Sequence, residues 1–218
     1  MTGREYPSKS SRRQGRGERY AEGRARDRGR SGQRQGPSFR LFVAVEIPAE
    51  ATRELLGWQQ QYLAGDRGLR LTPEGQLHVT LVFLGSLGEK ERDQAAARLE
   101  GLEARNSFEV TVTGLVGLPM KRSHPRVIAA GCDEPSGRLA ALHSELAAGL
   151  VAEGVYEQEK RPYFPHVTIA RARGRIAFDA EAIRPDPIKF TAVRVTLYNS
   201  VLKASGALHE ALKTVQLN

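Results

Sequence analysis

The sequence predicts an α+β fold made by duplicating a sheet-plus-helices unit, preceded by a disordered basic arm. Three observations carry this. The tripeptide His-Val-Thr occurs twice, at 78–80 and 166–168, in a chain with only five histidines. Short Val/Ile/Leu-rich runs alternate with Ala/Leu/Glu-rich segments in a mixed order, which disfavours a doubly wound parallel sheet. The charge is divided unevenly: residues 1–38 hold 11 Lys/Arg against 4 Asp/Glu, while residues 39–218 hold 22 against 21.

The arm, residues 1–38, is too poor in apolar side chains to offset the entropy of ordering it. Its GRG, RGR and RSGQR runs resemble arginine/glycine arms that neutralise nucleic-acid phosphates with little sequence preference. The folded domain is expected over 39–218. FRLFVAVEI (39–47) reads as a buried strand ended by Pro48, and 50–63 as a helix ending near Gly65. LHVTLVF (77–83) reads as a strand stopped by Gly85. Residues 89–104, rich in helix formers and acidic at the start, predict a second helix. FEVTVTGLVGL (108–118) and RVIAAGC (126–132) read as strands. Residues 136–154 form the clearest amphipathic helix, with Ser136 as N-cap and Gly154 as the stop. After the second tripeptide come a short helix at 180–183, a long strand at 188–202 and a hairpin partner at 207–217.

Several function classes are excluded or disfavoured. No segment approaches the roughly 18 apolar residues of a membrane span, and no secretory leader is evident. Cys132 alone permits no internal disulfide, so a cytoplasmic protein is expected, acting as a monomer. No glycine-rich phosphate loop appears, and no cofactor is expected. Two histidines without a neighbouring carboxylate or thiolate make an incomplete metal site, so no metal is expected either.

On a strand, residues i and i+2 share a face, so His78 and Thr80 would share one, and His166 and Thr168 another. Side by side, the two strands would line a groove with two imidazoles and two hydroxyls. One neutral ring can take a proton while the other, charged, donates one. The hydroxyls can hydrogen-bond non-bridging phosphate oxygens, where charge grows in the transition state. The residues leave open which histidine is acid and which is base.

LHVTLVFLG and FPHVTIAR, after FRLFVAVEIP, resemble the two-histidine phosphoesterase superfamily, and within it the RNA 2′,3′-cyclic phosphodiesterases, also called 2′–5′ RNA ligases. The resemblance covers about residues 39–217. It implies a two-lobed, pseudo-twofold α+β fold around a central cleft carrying both HxTx motifs, with terminal strands free to cross between lobes. It implies hydrolysis of RNA-terminal 2′,3′-cyclic phosphate to a 2′-phosphate, with His78 as proton donor and His166 as base. RNA ends or cyclic nucleotides are the expected partners, Thr80 and Thr168 the phosphate contacts. Reversible 2′–5′ ligation, a small-nucleotide substrate, and an RNA-binding protein acting through the arm remain alternatives.

Further residues are candidates for substrate contact. Arg126 matches a Pro-Arg-Val element of the family. Arg171 matches its spacing after the second motif, but three residues beyond Thr168 a regular strand would turn it away. Tyr163, Phe164 and Phe42 could stack on a base, with core packing as the competing role. Ala129 stands where relatives often carry an aromatic residue. His124 lies in a turn, and His143 and His209 are expected to be structural or exposed. Cys132 is expected to be a small buried side chain.

Overall fold

The computed structural model describes residues 36–120, 124–180, 182–203 and 206–218. The predicted disorder of the arm therefore lies outside the described residues, apart from exposed Gly36, Pro37 and Ser38.

Among the described residues, nine strands and three α-helices follow one another: β1 (Phe39–Glu46), α1 (Ala49–Trp58), β2 (Leu69–Leu71), β3 (His78–Leu87), α2 (Glu89–Glu100), β4 (Phe108–Leu118), β5 (Val127–Asp133), α3 (Arg138–Ala152), β6 (His166–Ala172), β7 (Ile188–Ala192), β8 (Arg194–Lys203) and β9 (Gly206–Gln216). The order in the sheet is β7-β4-β5-β6-β3-β1-β8-β9, with β2 on the side of β6. Every pairing is antiparallel. Two four-stranded halves meet at β6 and β3, joined through a single cross-strand pair, Val79 and Val167.

The long strand expected at 188–202 is broken at Val193. β7 pairs with β4 in one half, while β8 pairs with β1 and β9 in the other. The chain thus crosses between halves at that break, so the lobes do not follow the sequence halves.

Alternation along each strand separates the two faces. Leu41, Val43, Val45, Val79 and Val167 are fully buried and form one core with Leu55, Leu99 and Leu146 from the helices. Burying side chains of this size stabilises the domain by about 1.5–3 kcal/mol each. The other face carries both tripeptides' polar side chains.

Three local expectations are corrected, and one strand is added to them. Gly85 does not stop β3: its φ of +77° lets the strand kink and resume pairing to Leu87. Ser136 is not the N-cap of α3. Gly137 takes that position with φ +79°, and the carboxylate of Glu134 accepts the Leu139 N–H at 3.0 Å. The described residues around the short helix expected at 180–183 show only a turn, Ile183 N–H to the Ala180 carbonyl, with Pro185 and Pro187 following too closely for a helix. The three-residue β2 was not foreseen, being too short for a periodic signal. At the other end of α3, Gly154 with φ +70° does terminate the helix.

Candidate active site

Both motif strands contain the same irregularity. Ala44 pairs with Thr80 but Val43 pairs with Val82, leaving Leu81 as an extra residue in β3. Ala129 pairs with Thr168 but Ile128 pairs with Ala170, leaving Ile169 extra in β6. HVTLVF and HVTIAR accordingly show the same succession of exposure: partly exposed, buried, partly exposed, buried, buried, exposed. A bulge shifts the alternation by one residue. Phe83 and Arg171 therefore return to the face of the histidines. The regular-strand argument that turned Arg171 away is overturned.

Each extra residue is held from a helix in the other half of the sequence. Gln59, buried at the start of a π-helical turn over Gln59–Leu63, donates its side-chain amide to the Ile169 carbonyl at 2.7 Å and to the Thr72 carbonyl at 2.9 Å. His143 Nδ1, on α3, donates to the Leu81 carbonyl at 2.8 Å. The expectation that His143 is structural is met in this form.

With Val79 opposite Val167 in an antiparallel register, the flanking positions set His78 across from Thr168 and Thr80 across from His166. All four side chains are partly exposed on one face. The Thr80 and Thr168 hydroxyls have no protein hydrogen-bond partner among the described residues. His166 Nδ1 bonds the Phe164 carbonyl at 2.8 Å. A carbonyl only accepts, so Nδ1 carries the proton and Nε2 of the neutral ring is left as an acceptor. The main chain of Gln76, again two residues upstream, acts on His78 in the direction that favours its charged form.

His78 is also the most perturbed histidine. Burial foremost, then the neighbouring His209, push its pKa from 6.5 down to about 4, with smaller contributions from His166 and Arg171. Its ring stacks on Phe42 at 4.8 Å and meets His209 edge-on at 5.4 Å. Phe42 also stacks on Tyr198 at 5.1 Å. The Tyr198 hydroxyl donates to Glu46, whose carboxylate also accepts from Arg194 at 2.6 Å and Thr196 at 2.6 Å. His209, expected to be structural or exposed, is instead a neighbour of the first motif, and its Nδ1 is buried without a partner.

The remaining candidates separate clearly. Phe42, 3% exposed, backs His78 and offers no open ring to a base. Tyr163 stacks flat on His143 at 4.0 Å and donates its hydroxyl to the Thr80 carbonyl at 3.1 Å, contacts by which it supports the motif strand. Phe164 packs beside His166, ring centroids 5.6 Å apart. Arg171 is exposed, and burial of part of its side chain together with Arg70 and Arg40 lowers its pKa. Arg126 has an exposed side chain, and its main chain is tied to Leu118 and Ala172. His124 bonds the Ile176 carbonyl at 2.8 Å. Cys132 is buried, its thiol pushed up to about 12 by desolvation.

A signal for Arg171 was present in the sequence. Two successive apolar residues after each threonine, Leu81-Val82 and Ile169-Ala170, break the alternation that a regular half-buried strand requires. No local signal marked His209, Arg40 or Arg70.

Known proteins share the sequence pattern and fold of this chain. The family model described as the 2′-5′ RNA ligase superfamily matches residues 47–203. A Thermus thermophilus protein named RNA 2′,3′-cyclic phosphodiesterase is 34% identical over 192 residues, spanning 82% of this chain and 90% of that protein. A protein of the same name from Thermotoga maritima is 28% identical over 182 residues, spanning 82% and 95%. The crystal structure of E. coli LigT complexed with 3′-AMP superposes with a TM-score of 0.68 at 25% identity, covering 84% of this chain and 99% of that one. The chain belongs to the 2′-5′ RNA ligase superfamily.

Proposed function

We propose that this protein hydrolyses RNA-terminal 2′,3′-cyclic phosphates to 2′-phosphates by acid–base catalysis between His78 and His166. One observation carries the reading: the Val79–Val167 pair, which sets two imidazoles and two hydroxyls on one face of adjoining strands. The names of the curated relatives support the substrate class.

In this scheme His166 Nε2 takes a proton from water as its oxygen attacks phosphorus. The bond from phosphorus to O3′ breaks on the opposite side, and His78 gives its proton to O3′. Thr80 and Thr168 donate to the non-bridging oxygens. The cycle closes when His166 returns its proton to solvent and His78 regains one.

The depressed pKa of His78 adds a requirement. At neutral pH the unliganded ring is neutral, so it must take up a proton from solvent as the anionic substrate binds. An anionic phosphate beside the imidazole favours the charged form, and it also offsets the repulsion from Arg171. The enzyme is thus charged for catalysis only when its site is filled.

Incubation with an oligonucleotide ending in a 2′,3′-cyclic phosphate tests the reading, with product ends identified. A 2′-phosphate from the wild type, lost in both His78→Ala and His166→Ala and unaffected by EDTA, supports it. A 3′-phosphate, or full activity in either variant, overturns it.

The arm over residues 1–38 is proposed to hold RNA backbone. Deleting it should weaken binding of long RNA and flatten its salt dependence while small cyclic substrates are still cleaved.

A further inference from the structure

Arg171 is one of three arginines gathered on the motif face. Arg70, on β2, is its direct cross-strand partner, and Arg40 is also within electrostatic range. Arg40, Phe42, Ala44 and Glu46 alternate along β1, and Ala44 faces Thr80, so Arg40 shares the motif side. The bulge brings Phe83 to that side opposite Phe42. The Arg40 guanidinium lies 5.2 Å from the Phe83 ring centre. Phe83 is nevertheless 43% exposed, an uncommon state for a phenylalanine in this domain.

No described residue forms an ion pair with Arg40, Arg70 or Arg171. The acidic side chain of β1, Glu46, lies six residues from Arg40 and is engaged by Arg194, Thr196 and Tyr198. Like charges directly opposite on a ladder destabilise a sheet, and the Arg70–Arg171 pair has no protein counter-charge to relieve it. An anionic ligand would relieve it. A single cyclic phosphate carries one negative charge, and Arg171, the arginine nearest the histidines electrostatically, suffices for it. Arg40 and Arg70 are left for a second anion.

We propose that Arg40, Arg70 and Phe83 form a subsite for the nucleotide on the 5′ side of the cyclic end, the arginines taking its phosphodiester and Phe83 its base. The preferred substrate is then an oligonucleotide, not a cyclic mononucleotide. Guanidinium and phenyl groups are the pair that single-stranded RNA uses, charge for the backbone and a flat surface for an unstacked base. The nearly neutral domain supplies this through a local cluster, without a broad basic surface. The inference rests on the cyclic phosphodiesterase reading above, and its test separates the two.

The full-length wild type and an Arg40→Gln/Arg70→Gln variant are assayed on a 2′,3′-cyclic mononucleotide and on a trinucleotide with the same cyclic end. Binding of a 3′-phosphorylated trinucleotide is followed in parallel by fluorescence anisotropy, which needs no turnover. A wild-type KM about tenfold lower for the trinucleotide is expected, and loss of about that factor in the variant, with mononucleotide kcat/KM changed less than about twofold. The salt slope of trinucleotide binding should fall by about 0.7, the contribution of the one phosphate that the two arginines share. Phe83→Ala should raise the trinucleotide KM without altering that slope.

Equal wild-type KM values for the two substrates, or equal losses on both in the variant, overturn the subsite. A cyclic phosphate bearing a diphosphate is the other source of a second anion. If it, and not the trinucleotide, shows the arginine-dependent advantage, the RNA assignment fails. Arginine-dependent trinucleotide binding without any turnover would retain the subsite and reject the phosphodiesterase reading. Turnover indifferent to all three substitutions would do the reverse.

Discussion

The side-chain amide of Gln59 donates to the main-chain carbonyl of Ile169 at 2.7 Å, across 110 residues of sequence. It holds the bulge that swings Arg171 onto the motif face, as His143 holds the equivalent bulge at Leu81. Gln59→Leu removes this bond and leaves the Thr72 carbonyl without its side-chain donor. A loss of about 1–3 kcal/mol is expected from urea unfolding. Because Arg171 is aimed by the same bulge, cyclic-phosphate turnover should fall in a protein that remains folded, with the loss in KM larger than in kcat.

Tyr163 gives a sharper test of position against contact. Tyr163→Phe keeps the stack on His143 and removes only the hydroxyl bond to the Thr80 carbonyl. About 1 kcal/mol of stability should be lost, with KM unchanged across substrates ending in different bases. A base-dependent change in KM would make Tyr163 a stacking residue after all.

Acid lability should follow from His78. Its pKa is 6.5 unfolded and about 4 folded, so between those values the unfolded chain binds more protons. Stability due to the neutral buried ring is complete above pH 6.5 and lost as pH falls through about 4, by about 3 kcal/mol in all. His209, also lowered, chiefly by burial and then by Arg171, adds in the same direction. Urea midpoints at pH 7 and pH 4.5 measure the slope, and His78→Gln should make it shallower.

His209 lies edge-on to His78 and lowers its proton affinity. Replacing it by glutamine removes that ring and its partial positive charge, so the His78 pKa should rise towards 6.5. NMR titration of the His78 ring in His209→Gln reads this directly, and no upward shift would show that His209 does not contribute to the value.

Cys132 should be inert in the native state. Its thiol is buried and pushed up to about 12, and the thiolate is the reactive form. A thiol reagent at pH 8 should label it only after denaturant is added. Rapid labelling of the folded protein would contradict the placement of β5 in the core.

The sequence by itself determined the strands and helices that bury a complete apolar face, because periodicity records burial directly. It also determined the doubled His-x-Thr, because a repeat is visible without coordinates, and the division of charge between arm and domain. Tertiary structure decided what depends on register. An extra residue at Leu81 in β3 and at Ile169 in β6 reverses the face of the residues that follow, Phe83 and Arg171 among them, so Arg171 was misplaced by a regular-strand argument, and the local apolar doublet that marks the bulge gains meaning only beside its partner strand. The break at Val193 sent β7 and β8 to different halves, which a continuous apolar run does not reveal. His209 reached His78, and Arg40 and Arg70 reached Arg171, through strands far apart in sequence, since cross-strand contact is set by pairing order and not by spacing along the chain.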